Sequence, residues 1–398
     1  MFDQLRLAAW HDGIRSRLAL PLRVELWNGQ RLDFSAGPPR VTVRLPDARA
    51  LRYLLTPSLD NMGKAYVEGA IEVSGRARDM LDVVGALAAS SVPRQRLLRG
   101  WRRSHTRSLD AAAVRYHYDV SNDFYQAWLD PAMVYSCAYF EQGSESLAEA
   151  QIGKIDHILR KINLQPGHTL LDIGCGWGAL AMRAAARHGA RCVGITLSPN
   201  QAALARERVA RAGLQDRVEI RLEDYRDVRG QFDRITSVGM FEHVGLRQLP
   251  AYFARMRALL ADDGLAMNHG ITTTSVEGKA APYGAGEFIG RYVFPHGELA
   301  HVGTVLRAMQ EGGLEALDVE NLRRHYARTC AAWTDNFEAR AAHIQTLTDA
   351  RRFRIWHVYL AGCTYAFSND WISLYQVVCR KAGRSPDAMP WSRRYMYP

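Results

Sequence analysis

The segment Leu171-Asp172-Ile173-Gly174-Cys175-Gly176-Trp177-Gly178 constrains this chain more than any other. An apolar run ends in three glycines spaced two apart, then enters an alanine-rich stretch of helical periodicity. A strand that turns directly into a helix needs positive φ and close backbone approach at the turn, which glycine provides without steric cost. The amides at the head of the following helix then face whatever ligand lies over the turn. The segment therefore predicts the first β–α unit of an open α/β sheet, with a ligand at the carboxyl ends of its strands. Taken alone it also suits dinucleotide-binding folds, or a tight turn with no ligand. Two details narrow it. The glycines do not follow the GxGxxG spacing of a pyrophosphate turn, and Asp172 within the strand end suits a ligand bearing an amino group and a cationic sulfonium.

The pattern on either side agrees. HTLLDIGCG reads as a strand, followed by a helix to His188, the strand RCVGITL and a helix from Pro199. VEIRL, FDRITSVG, a helix through RMRALLADDG and LAMNHGI continue the alternation, which predicts a parallel, doubly wound sheet. The second strand ends Gly194-Ile195-Thr196-Leu197-Ser198, with Gln201 shortly after, so the usual ribose-binding acid is missing there. Asp224, after the third strand, reads either as an acceptor for an adenine amine or as an ordinary loop acid.

Residues 1–92 differ in texture. Short alternating runs (LPLRVELWNG, QRLDFSAG, RVTVRL) and two helical patterns predict a smaller α+β module with a Gly-rich turn near Gly69–Gly75. Residues 93–110 read as a basic linker and 111–398 as the main domain, interrupted at 275–300 by a Gly- and aromatic-rich insertion suited to a lid or substrate channel. Of the chain's net charge of +10, residues 1–110 carry +7, from 18 basic and 11 acidic side chains. Much of it falls in PRQRLLRGWRRSHTR, Pro93–Arg107, where arginines alternate with Leu97, Leu98 and Trp101. That mix suits an anionic membrane surface, and equally a solvated linker; no nucleic-acid motif accompanies it. No apolar run approaches the ~18 residues that would cross a bilayer. Six scattered cysteines without a CxxC pair suit a reducing cytoplasm.

Several motifs in order then become recognisable: Tyr116-His117-Tyr118-Asp119-Val120-Ser121-Asn122-Asp123-Phe124-Tyr125, Tyr135-Ser136-Cys137-Ala138-Tyr139-Phe140, LLDIGCGWG, GITLSPNQ, GMFEHVG and NHGI. Together, over about residues 110–381, they strongly resemble the cyclopropane-fatty-acyl-phospholipid synthase family and its mycolic acid relatives. The resemblance implies a class I S-adenosylmethionine-dependent methyltransferase (Rossmann-like) α/β domain beside the N-terminal module. It implies cofactor contacts from Tyr135, Ser136, Gly174, Gly176, Thr196, Leu197 and Gln201, with Asp224 near the adenine; Thr196-Leu197 and Gln201 take the place of the ribose acid. It also implies a bicarbonate ion held by Cys137, Val238, Glu242, His269 and Tyr326, the first and second mainly through their backbones. Cys363 matches a cysteine once proposed as catalytic, and packing near the acyl channel is its plainer reading. Partners implied are a phospholipid bilayer surface and unsaturated acyl chains, with the protein cytoplasmic and peripheral on the inner face of the membrane; the family suggests dimers.

The chemistry explains the residue types. An alkene is a weak nucleophile, so a sulfonium methyl is a fitting electrophile, and the resulting carbocation must be kept from water. Tyr283, Phe288, Tyr292, Phe294, Tyr365 and Phe367 are candidates to line such a chamber, aromatic faces favouring a cation by roughly 0.5–2 kcal/mol each; ordinary packing is the alternative for each. Glu242-His243 lacks the HExxH spacing of a zinc site. A product that is methylated or methylene-bearing, without ring closure, fits the same residues. A nucleic-acid methyltransferase would want an Asn/Asp-Pro-Pro-Tyr motif where SVGMFEHVG stands, and a lipid-binding module without catalysis would show a damaged glycine turn.

Overall fold

The computed structural model describes residues 2–90, 120–277, 281–294, 297–383 and 389–397. The basic stretch Pro93–Arg107 and the first residues of the Tyr116 motif lie outside the described residues. The chain divides into two compact units: Met1–Arg102 with Lys279–Pro295 and Trp333–Asn369, and Arg103–Gly278 with His296–Ala332 and Asp370–Pro398.

The first unit opens with helix α1 (Phe2–Arg15) and strands β1 (Leu22–Glu25), β2 (Arg31–Asp33) and β3 (Val41–Arg44), then α2 (Leu51–Leu55), α3 (Leu59–Val67), β4 (Glu72–Ser74) and α4 (Ala77–Ser90). The sheet runs β2-β1-β3-β4, with β1 and β3 parallel. Alternation along β1 and β3 buries Leu22, Val24, Val41 and Val43 on one face, as the period of two requires. Ser58 caps α3 by accepting from Asn61 N–H. The compact unit also takes in segments from beyond the linker expected at residues 93–110. The helices Ala285–Tyr292 and Ala350–Ser368 and the end of Arg323–Ala339 join it. Tyr292 donates to Glu68 at 2.8 Å, and Tyr66 meets His357 Nδ1 at 3.1 Å while His357 Nε2 meets Glu338 at 2.9 Å. These joins depend on side chains far apart in sequence, which local pattern does not reveal.

The second unit contains α5 (Asn122–Gln126), α6 (Leu147–Lys161), β5 (Thr169–Ile173), α7 (Ala179–His188), β6 (Arg191–Thr196), α8 (Pro199–Arg211), β7 (Val218–Leu222), β8 (Phe232–Val238), α9 (Leu249–Leu259), β9 (Leu260–Thr273), α10 (Val302–Glu311), β10 (Leu314–Asn321) and β11 (Ile372–Lys381). The seven-stranded order is β10-β11-β9-β8-β5-β6-β7. The doubly wound sheet expected from the alternation is present, with one correction: β11 lies antiparallel between β9 and β10. Its residues read as a buried run with no directional signal, so sequence pattern alone does not place it. One sheet face packs Leu170, Leu265 and Met267 against Ile158, Leu180 and Ala205; the other packs Leu171, Ile235 and Ala266 against Phe253 and Met309. Local signals start the helices: Ser146 and Glu149 form a reciprocal capping box at α6, and Ser198 caps α8 ahead of Pro199.

Helix α6 is unusual in burying a polar stripe, Gln151, Lys154, His157 and Lys161. Lys161 Nζ sits 2.7 Å from both Asp318 and Glu320 of β10, and His157 Nε2 meets the same Glu320 oxygen at 2.7 Å. Removing the cation leaves buried Asp318 to Tyr397 and Arg393, and half-buried Glu320 to His157 alone. Lys161→Met is therefore expected to destabilise the second unit by about 3–5 kcal/mol, read as a lower midpoint in denaturant unfolding; an unchanged midpoint would remove the ion cluster from the account of stability.

Candidate active site

The carboxyl ends of β5, β6 and β8 open onto a cavity of about 160 Å³. The glycine turn shapes its floor. Gly174 has φ +80° and Gly176 φ +55°, and the amides of Gly174 and Cys175 both donate to Ile195 O, at 3.0 and 2.9 Å. The turn is thereby locked onto β6, and Gly178 leads into α7. Asp172 accepts from the Thr236 hydroxyl at 2.8 Å, and burial pushes its carboxyl up to about 6.

The opposite wall comes from the loop after α5. Asp130 shapes this loop by accepting from the amides of Ala132, at 2.8 Å, and Val134, at 2.9 Å. Met133 between them takes φ +54°. Gln151 of α6 then pins the carbonyls of Val134 and Ser136 at 3.2 and 2.8 Å, turning Tyr135 and Ser136 into the cavity. At the end of β6 the missing ribose acid is replaced by a hydrogen-bonded pair: the Thr196 hydroxyl donates to Gln201 Oε1 at 2.7 Å. That leaves the Gln201 amide N–H groups for a ligand. Asp224 also lines the cavity, but its carboxylate is engaged by Arg226 through Nε at 2.8 Å and Nη2 at 2.6 Å. Arg226 therefore competes with any adenine amine for this acid.

All eight residues named for cofactor contact, Tyr135, Ser136, Gly174, Gly176, Thr196, Leu197, Gln201 and Asp224, lie in the wall of this one cavity, as does Val238. Of the residues named for an anion, Val238, Glu242 and His269 come together at the ends of β8 and β9. Val238 and His269 are register partners on β8 and β9. Where β8 ends, Glu242 Oε1 takes over its ladder by accepting from Ile271 N–H at 2.7 Å. Met240 and His243, flanking Glu242 in and beside the 3₁₀ turn Phe241–His243, line the cavity. Glu242 Oε2 and His269 Nε2 are buried and, among the described residues, have no hydrogen-bond partner. Gln376 Nε2 lies 3.2 Å from His269 Nδ1; with the amide nitrogen donating there, Nδ1 accepts and the ring hydrogen is assigned to Nε2. Burial holds His269 well below its ordinary range, helped by Lys154, and raises Glu242 to about 7.

Cys137 and Tyr326 belong to the same unit. The Cys137 thiol approaches Leu322 O at 3.9 Å and donates to Ala138 O at 3.2 Å, while Tyr326 N–H also bonds Leu322 O, at 3.0 Å. Burial pushes the Cys137 thiol well above its ordinary range, so its side chain is no thiolate nucleophile. Cys363 is on the helix Ala350–Ser368 of the first unit, partly exposed. The six aromatics named for a substrate chamber also belong to the first unit, and none lines the cavity. Phe288 packs over Gly63 and Tyr365 over Gly85, so closely that a Cβ there would stand 2.9 Å and 2.2 Å from their rings and hydroxyl respectively.

Three further residues of the site escape sequence reasoning: Lys154, Gln376 and Gly270. Lys154 and Gln376 sit in runs that read as ordinary helix and strand. Gly270, in NHGI, was visible as a glycine inside a strand, a sign of close approach; a Cβ there would stand 1.9 Å from Phe241 Cε1 and 3.2 Å from Glu242 Cδ.

Comparison with known proteins divides the chain along its sequence. The mycolic acid cyclopropane synthetase family model matches residues 105–377, and a domain of unknown function matches residues 9–96. A probable fatty acid methyltransferase from Pseudomonas putida is 45% identical over 384 residues, covering 96% of this chain and 97% of that protein. The cyclopropane-fatty-acyl-phospholipid synthase of Escherichia coli is 34% identical over 349 residues, covering 86% and 88%. A crystal structure of a mycolic acid cyclopropane synthase complexed with SAH and CTAB superposes with a TM-score of 0.65 at 36% identity, over 68% of this chain and 98% of that one.

Proposed function

The chain belongs to the mycolic acid cyclopropane synthetase family, and from that premise we propose that this S-adenosylmethionine-dependent methyltransferase adds a methylene bridge across the cis double bond of an unsaturated acyl chain in a membrane phospholipid, with bicarbonate as the base. The observation that carries this reading is the sharing of one cavity wall by the eight residues named for cofactor contact, beside two buried polar atoms that have no partner among the described residues.

The residues fit both ligands. The positive-φ glycines leave backbone room for a nucleoside with its amino-acid tail, and Gln201 keeps its amide donors for the ligand. S-adenosylmethionine supplies an electrophilic methyl on a sulfonium. Next to it, His269 Nε2–H offers a hydrogen bond to an anion. Glu242, raised to about 7, carries the proton that spares two negative charges from meeting. Bicarbonate bound there supplies a base for the proton that must leave before ring closure. Oriented groups that need no reorganisation are the efficient way to hold such an ion out of water. Val238 and Cys137 would join through their backbones, and Tyr326 through its phenol.

A phospholipid substrate and a peripheral position on the inner membrane face draw their support from the Escherichia coli relative's name and from the Arg-Leu-Trp stretch at Pro93–Arg107. No helix among the described residues is long and apolar enough to cross a membrane. The Pseudomonas putida relative's name favours a second reading, methyl transfer without ring closure. Incubation with labelled S-adenosylmethionine and vesicles of unsaturated phospholipid separates them. Cyclopropanation adds one methylene unit and gives upfield ring-methylene proton signals; a methyl- or methylene-branched product lacks those signals, and unlabelled lipid would refute both.

A further inference from the structure

Lys154 is the buried charge that the family reading leaves without a task. It is 2% exposed, lines the cavity, and donates from Nζ to Ser136 Oγ at 2.9 Å. An ammonium has three N–H donors, and Ser136 is the one hydrogen-bond partner recorded for Lys154 among the described residues. No carboxylate among them stands within ion-pair distance of it. A buried cation so poorly matched is costly unless its remaining donors find acceptors. Asp172 lines the same cavity and is likewise buried; among the described residues its carboxylate has no cation within ion-pair distance, and its one hydrogen bond comes from the Thr236 hydroxyl. Burial holds Lys154 down to about 8, with Cys137, Asp130 and Asp172 acting the other way. One cavity thus presents an unmatched cation and an unmatched anion, the complement of a zwitterion.

We propose that Lys154 binds the α-carboxylate at the amino-acid end of S-adenosylmethionine, using the N–H donors that Ser136 leaves over, with Asp172 on the ammonium side. The proposal rests on the cavity being the S-adenosylmethionine site. It also gives Ser136 a defined orientation: accepting from Lys154, its own hydroxyl hydrogen is free to turn toward the ligand. Residues 151 and 154, one helical turn apart on α6, then divide the work, Gln151 fixing the Ser136 backbone and Lys154 its side chain and the ligand.

The test compares two ligands by titration calorimetry on the full chain: S-adenosylhomocysteine and its decarboxylated analogue S-adenosyl-3-thiopropylamine, which lacks the carboxylate alone. Wild type should prefer S-adenosylhomocysteine by about ten- to a hundredfold, the worth of a charged hydrogen bond. In Lys154→Met that preference should collapse to within about threefold with binding of the analogue kept, and Lys154→Arg should restore part of it. A wild type that does not discriminate overturns the proposal without any variant. A variant that keeps the full preference, or weakens both ligands equally, overturns it too. So does unchanged binding of both with lost turnover, which would assign Lys154 to the anion beside His269. Wild type that binds neither ligand would instead bring down the cofactor reading itself.

Discussion

Glu242→Gln is expected to slow turnover by about 10²–10⁴-fold, the usual contribution of a positioned proton-transfer group, while calorimetric affinity for S-adenosylhomocysteine stays within about twofold. The substitution is nearly isosteric. Gln keeps an oxygen to accept from Ile271 N–H, so the junction of β8 and β9 is retained. It exchanges the buried Oε2, which has no partner among the described residues, for an NH₂ group that cannot give up a proton. Because Glu242 itself is outside the cavity wall, the cofactor contacts remain. Unchanged turnover would remove the anion-site assignment.

The same variant has a second, independent readout. Burial raises Glu242 from an ordinary 4.5 to about 7 in the folded protein. A raised carboxyl favours folding while protonated, so its contribution is full below pH 4.5 and is lost as pH rises to about 7. Gln has no such loss. The variant should therefore match wild type in thermal midpoint near pH 4.5 and exceed it above pH 7, gaining stability where it loses activity. A midpoint that falls below wild type at pH 8 would mean the charged carboxylate is satisfied by something other than a ligand.

What was legible in the sequence was local. The glycine turn and the alternation of β5 to β9 are written in consecutive residues, and the structure has them there. The eight cavity residues come from four such stretches, each ending at a strand's carboxyl edge or in the loop pinned by Gln151, so their convergence follows from the topology of an open sheet. What was not legible depends on pairing between distant segments. The place of β11 is set by its neighbours, β9 and β10, more than 40 residues earlier in the chain. His269 acquires its tautomer from Gln376 on that strand, and the first unit recruits helices from beyond residue 279 through side chains such as Glu338 and Tyr292. Asp224 illustrates the limit in the other direction: it lines the cavity, and Arg226, two residues on, engages its carboxylate.

Gly270→Ala should damage the site from the inside of the sheet. The new methyl group would stand 1.9 Å from Cε1 and 2.3 Å from Cδ1 of Phe241, distances that no pair of carbons tolerates. Phe241 is buried in the core beside Leu171 and Ile173, so its ring cannot simply swing into solvent. The strain passes to the 3₁₀ turn Phe241–His243, and with it to Glu242, whose Cδ lies 3.2 Å from the same point. Overpacking of this kind costs about 1–3 kcal/mol. Displacing a catalytic group by an ångström costs on the order of 10²-fold in rate. Turnover should thus fall at least that far, with cofactor affinity falling much less, because of the cavity wall only His243 and the flanking Met240 and Val244 ride on this turn. Phe241→Leu removes the ring edge that the methyl group meets. In contact, the two substitutions should not add: the double variant should be more stable than Gly270→Ala, recovering turnover only as far as Glu242 regains Ile271 N–H. Equal losses in the single and double variants would show that the ring is not what the glycine makes room for.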